Sequence, residues 1–153
     1  MKKAIATLVA SILAVVALVV GASTANAQLT GSINIVFGDE GHLIGKGAVA
    51  TLPAEITCTV PGDFEFGEGF AELRQAQGRR IVIATGFASL SSTDCDGTPH
   101  FVDFTFFPTD APFKPGLAVV WGSAFVCFFD PTTGQSACVN DPEGPKEIRL
   151  TKN

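Results

Sequence analysis

The amino-acid sequence predicts an all-β protein, an antiparallel β-sandwich of about seven short strands with two disulfides. Three observations carry this. Beyond residue 27, apolar residues alternate with a period of two, and no stretch keeps a helical period over three turns. Turns rich in Gly, Pro and Asp punctuate the alternating runs, with no helix between them. Four cysteines follow an export-type N-terminal segment, which reads as two bridges in an oxidising compartment.

The export segment comes first. Lys2 and Lys3 precede an uncharged apolar run, Ala4 to Val20, and Ala25-Asn26-Ala27 offers the small residues a signal peptidase reads. Residues 1–27 are expected to be a cleaved signal peptide, not a retained membrane anchor, and residues 28–153 a single secreted domain. No cysteine follows the apolar run to carry a lipid, and "KEIRLTKN" has neither an apolar tail nor a sorting-type segment. Cleavage also removes Lys2 and Lys3, so the exported chain is more acidic than the net charge of −5 of the whole. Phosphate backbones require clustered Lys and Arg, so nucleic acid is excluded as a partner. No membrane partner is expected after cleavage, because acidic character repels anionic surfaces.

The strands follow in order. "GSINIVF" puts Ile33 and Ile35 on one face. "AEITCTV" puts Ile56, Cys58 and Val60 on one face, with Thr57 and Thr59 opposite, before a Pro61-Gly62 turn. "FEFGEGFAELRQ" is extended and aromatic, and its Gly67 and Gly69 mark a bulge or a close approach. "AQGR" turns into "RIVIATGFASL", where Ile81 and Ile83 alternate with Val82 and Ala84. In "HFVDFTFF", Val102, Phe104 and Phe106 oppose Phe101, Asp103, Thr105 and Phe107. After a corner with Pro108, Pro112 and Pro115 comes "LAVVWGSAFVCFF", whose β-branched and aromatic residues and Gly122 favour strand over helix. "KEIRLT" closes the chain with Ile148 and Leu150 inward.

Three disulfide connectivities are possible. The turn Asp130-Pro131-Thr132-Thr133-Gly134 makes Cys127 and Cys138 the two sides of one hairpin, which favours Cys127–Cys138 with Cys58–Cys95. By loop entropy these contribute about 3 and 4 kcal/mol. The first also holds "FFDPTTGQSA" in one shape, and a constrained loop loses less entropy when it binds.

The segments "EITCTVPG", "STDCDGTPHFVDFTFFP" and "FKPGLAVVWGSA", with the late Cys127/Cys138 pair, resemble a group of small secreted proteins from actinobacterial genomes. The similarity spans Gly47 to Leu150. It implies an immunoglobulin-like sandwich and secretion, and it implies no activity. The architecture is also similar to that of the enediyne-carrier apoproteins of the neocarzinostatin type, with no binding residue aligned. Antibody-type domains fit less well: Trp121 does not sit between two cysteines in the first half, and there is no tyrosine for a tyrosine corner.

The residue types that carry chemistry are sparse. His42 and His100 are far apart in sequence and the cysteines are expected to be oxidised, so no metal or cofactor is expected. "DCDG" at Asp94–Gly97 is a fragment of a calcium-type loop without its third acidic position or distal Glu. Ser89, Ser91, Ser92, Asp94 and His100 are the one local set of nucleophile, base and acid types, and no serine sits in a Gly-x-Ser-x-Gly elbow. Glu68 and Glu72 on one strand face would stand about 13 Å apart at ~3.3 Å per residue, too far for a glycosidase pair. The chain is therefore read as non-enzymatic, with a hydrolase near His100 as the least favoured alternative.

What remains is aromatic. Thirteen phenylalanines and Trp121 exceed what one inward face can take. Either Trp121, Phe125 and Phe129 or Val120, Val126 and Phe128 must face outward from the long strand. The candidate recognition surface is Phe101, Phe107, Trp121, Phe125 and Phe129 with hairpin residues Asp130, Thr132 and Thr133. The expected partner is a protein or, alternatively, a small apolar ligand carried between sheet and hairpin.

Overall fold

The computed structural model describes residues 30–152; the signal-peptide expectation for residues 1–27 lies outside the described residues. Period-two alternation becomes strand throughout. β1 (Ser32–Phe37) buries Ile33, Ile35 and Phe37 and exposes the residues between them. After β2 (Glu40–Ile44), β3 (Val49–Thr59) buries Ala50, Leu52, Ala54, Ile56 and Cys58. β4 (Asp63–Gln77) and β5 (Arg80–Leu90) pair from end to end through the Gly78-Arg79 turn. β6 (Asp96–Phe106), β7 (Gly116–Asp130) and β8 (Gln135–Lys152) complete the described chain. None of its helices is long and apolar enough to cross a membrane.

The expected two-sheet sandwich does not form. The sheet runs β3-β2-β8-β7-β4-β5-β6 and returns to β3, a closed barrel of seven strands. β3 is bonded on both edges. β6 lies along one edge, from Ala50↔Phe106 to Thr59↔Asp96. On the other edge β1 pairs with residues 54–59 and β2 with residues 49–51. β2 then pairs in parallel with β8, Glu40↔Arg149 to Leu43↔Lys152, which joins the two halves. On the far side β5 meets β6 through Gly86↔Phe106 and Phe87↔Thr105 alone. Alternation in sequence cannot distinguish the two architectures, because sandwich and barrel both present one inward face per strand.

β2 and most of β8 had no strand signal. The residues after Cys138 form strand bonded to β7 from Phe125↔Asn140 to Val120↔Lys146. Pro142, Gly144 and Pro145 interrupt their alternation, and the β7 partner supplies the order that local preference lacks. Where β1 passes β8, side chains close the seam. The Ile35 amide donates to Asp141 Oδ2 at 3.1 Å. Lys146 Nζ donates to the Phe37 carbonyl and pairs with Asp39 at 2.8 Å. Buried backbone groups need partners, and here carboxylate and ammonium stand in for a ladder.

The interior is filled by large rings facing small residues. Inside the barrel the ring of Phe104 lies over Gly69 of β4, two strands away, and the ring of Phe106 lies over Gly86, its direct partner on β5. A Cβ built on either glycine would lie 2.4 Å from Phe104 or 2.6 Å from Phe106. Phe37 packs edge-on against Phe104 at 5.4 Å. The close approach anticipated at Gly69 is therefore a seat for an aromatic ring, and the bulge lies just upstream, between Phe64 and Phe66.

Both disulfides pair as the hairpin reading favoured. Cys127 and Cys138 are direct cross-strand partners, and Cys58–Cys95 ties the end of β3 to the residue before β6. Replacing Cys58 and Cys95 by Ala should lower unfolding stability by about 4 kcal/mol, and replacing Cys127 and Cys138 by about 3. Urea titration of the two double variants checks both the size and the order. Gly69→Val should cost about 1–3 kcal/mol through overpacking against Phe104; an unchanged urea midpoint would contradict the packing described.

Candidate functional site

With the interior occupied, large side chains that fit no inward position gather outside. On β4, Phe66 and Phe70 flank the inward Gly67 and Gly69, so the small residues that admit Phe104 force their neighbours outward. Phe87 of β5 lies opposite Phe70, and Phe125 of β7 lies opposite Glu68. The four rings form a continuous ladder. Phe66 meets Phe125 edge-on at 5.7 Å, Phe125 stacks on Phe70 at 5.9 Å, and Phe70 meets Phe87 edge-on at 5.3 Å. These are favoured geometries for aromatic quadrupoles. Phe66 is 51% and Phe87 59% exposed, so ring contact satisfies only part of each surface.

Apolar residues extend the ladder on the same face, with Ile81 and Ile83 on β5 and Leu117 and Val119 on β7. Trp121 lies opposite Glu72, and the Arg74 guanidinium sits 4.4 Å above its ring while pairing with Glu72. The result is a wide apolar field on β5-β4-β7 with one charged corner.

The sequence-derived surface residues divide among several places. Trp121 and Phe125 face outward within this field, and Val120, Val126 and Phe128 are buried, which settles which face of β7 shows. Phe129 is half-buried opposite Asp63 at the far end of β7. Phe101, 78% exposed, stands across the barrel on β6 opposite Glu55, beside Val36 and Pro53 in a groove of about 250 Å³. Phe107 is exposed just beyond β6. Thr132 and Thr133 are exposed at the hairpin tip. Asp130 is buried, and its carboxylate accepts from the Thr132 amide at 2.8 Å and the Thr133 hydroxyl at 2.7 Å, so it builds the turn instead of facing a partner.

Sequence reading missed Phe66, Phe70 and Phe87. The signal was the interleaving of phenylalanine with glycine in "FGEGF": if the glycines face a crowded interior, the phenylalanines cannot.

The Ser/His/Asp types do not assemble a nucleophile. His100 Nε2 contacts Asp96 Oδ1 at 3.0 Å and Thr98 Oγ1 at 3.1 Å, with Asp94 4.0 Å from Nδ1. Ser91 donates to Asp94 Oδ2 at 2.6 Å and contacts Thr93, capping the short turn Ser92–Asp94. Among the described residues no serine is hydrogen-bonded to His100. Asp94 and Asp96, the "DCDG" carboxylates, are used by these turn contacts.

These contacts also set the acid behaviour. The Ser91 hydroxyl and amide hold the Asp94 carboxyl below the usual range. The Thr98 hydroxyl, then His100, hold Asp96 far below it, and the Thr133 hydroxyl lowers Asp130.

No protein-family model matches the chain, and no curated protein matches it, so the likeness to small secreted actinobacterial proteins rests on the short segments that carry it. Among solved structures the chain is similar to AggA, the major subunit of aggregative adherence fimbriae type I from Escherichia coli. That match has 11% identity and a TM-score of 0.38, and covers 81% of this chain and 96% of the other. At that score neither topology nor site transfers to this chain.

Because the three aspartates are more acidic folded than their ordinary value near 3.8, their stabilisation is complete above that pH and is lost as the pH falls through the lower folded values. Melting temperature measured from pH 6 down to pH 2 should therefore drop in the acid window, and the triple variant Asp94→Asn/Asp96→Asn/Asp130→Asn should show a flatter profile there. Equal slopes for the two proteins would contradict these assignments.

Proposed function

We propose that the chain is an exported, non-enzymatic binding module that engages a protein partner through the phenylalanine ladder of β4, β5 and β7. The observation that carries this reading is the ladder itself, four contiguous outward rings at Phe66, Phe125, Phe70 and Phe87. Contiguous exposed apolar area of this kind marks contact surfaces, and aromatic rings dominate the energetics of protein interfaces. Fully burying such a ring is worth about 1.5–3 kcal/mol. The rings are already ordered by one another, so little side-chain entropy is lost on docking. Export is supported by the order of charges, apolar run and Ala-x-Ala at the N-terminus, and by two disulfides that suit an oxidising compartment.

The second reading is a carrier of a small apolar ligand held between sheet and hairpin; Phe37, Phe104, Phe106 and Phe128 fill the barrel interior, so such a ligand would lie outside it.

The test is a pull-down from the extracellular fraction of the producing cells, with bound proteins identified by mass spectrometry. Wild type and Phe101→Ser should retain the same partner, and Phe66→Ser/Phe87→Ser should lose it at least about tenfold while melting at an unchanged temperature. Retention of the partner by the double variant would overturn the proposal.

A further inference from the structure

A second site lies at the end of the barrel that holds the β2–β3 and β6–β7 connections. A cavity of about 510 Å³ opens there, lined by Leu43, Phe113, Pro115 and the lysines Lys46, Lys114 and Lys152, with no carboxylate side chain among the described residues of its wall. Its size is that of a small-molecule pocket. None of the three ammonium groups has a hydrogen-bond or ion-pair partner among the described residues. Lys46, Lys114 and Lys152 differ from the other unpaired cations in lining one cavity.

Each lysine is placed by a specific backbone device. Lys46 takes a left-handed conformation, φ 60° and ψ 30°, unlike any other non-glycine residue described. Such backbone is disfavoured for a side-chain-bearing residue and persists where the surroundings impose it. Gly45 and Gly47 flank it with φ of 61° and 87°. Gly47 is packed so closely that a Cβ would lie 1.9 Å from the Phe113 carbonyl oxygen, and its own carbonyl accepts from the Phe113 amide at 2.9 Å.

Lys114 is held by Gln75, a glutamine only 3% exposed. Gln75 Nε2 donates to the Lys114 carbonyl at 2.6 Å, and the Lys114 amide donates back to Oε1 at 2.8 Å. Gln77 braces both by donating to Gln75 Oε1 and to the Pro112 carbonyl. A buried amide satisfied in this way fixes the loop that carries the lysine. Lys152 is brought in by the parallel register Leu43↔Lys152. Like charges gathered on one wall repel, and a bound anion removes that repulsion.

We propose that this cavity binds a small amphiphilic anion, with a carboxylate or sulfate head held by Lys46, Lys114 and Lys152 and an apolar body lying on Leu43, Phe113 and Pro115. The site is independent of the phenylalanine ladder, so either can fail without the other.

The test is an amide chemical-shift titration of the oxidised protein with octanoate, octan-1-ol and inorganic sulfate. Octanoate should shift the amides of Gly45, Lys46, Gly47 and Lys114, and octanol and sulfate should each bind at least about tenfold more weakly. Lys46→Gly and Lys114→Gln should each weaken octanoate about tenfold, while Arg74→Gln on the barrel flank leaves it unchanged. Lys46→Gly suits the left-handed backbone, so its melting temperature should not fall, which separates lost binding from lost folding. Absence of octanoate shifts at these amides, equal binding of octanol or of sulfate, or unchanged affinity in both lysine variants would each overturn the proposal.

Discussion

Everything in this fold depends on β3 being bonded along both edges. With β6 on one side and β1 and β2 end to end on the other, the strand links two halves that would otherwise stack as separate sheets. The Cys58–Cys95 bridge fixes one end of this junction, and the parallel β2–β8 pairing fixes the opposite end. Closure bonds edges that in an open sheet would stay exposed and prone to pair with other chains. It also limits the interior, because a barrel of this size is filled by its own side chains.

That limit explains where function can sit. The rings of Phe104 and Phe106 claim the space above Gly69 and Gly86, and the residues next to those glycines are driven outside. The same packing that stabilises the core therefore creates the outward phenylalanine ladder. At the end of the barrel the closure has a second effect. The strand ends bring the Gly45–Gly47 turn, the Phe113–Pro115 loop and the end of β8 around one cavity, so lysines distant in sequence share a wall.

Strand positions and inward faces were legible in the sequence wherever alternation was regular. Ile33, Ile35, Phe104, Phe106, Ile148 and Leu150 are all buried as the pattern requires. The hairpin around Asp130-Pro131 likewise placed Cys127 opposite Cys138. Closure was not legible, since it depends on which edges meet, and alternation is silent about edges. β2 and the middle of β8 escaped for a related reason: "EGHLI" and "NDPEGPKE" carry weak strand preference and are held by their partners. Of the site residues, Trp121 and Phe125 could be read from β7 alone. Phe66, Phe70 and Phe87 required knowing that Gly69 and Gly86 face the rings of Phe104 and Phe106 inside the barrel. Lys46, Lys114 and Lys152 share no sequence motif at all.

The barrel depends most directly on the two junctions that turn stacked halves into a ring. Amide hydrogen exchange of the oxidised protein, read residue by residue, examines them. Closure predicts slow exchange at the amides bonded across β2–β8, within Glu40–Leu43 and Arg149–Lys152, and across Gly86–Phe87 and Thr105–Phe106, comparable with the β4–β7 ladder. Exchange at both junctions as fast as in the turns, with β4, β7 and β3 still protected, would contradict it and restore an open sandwich.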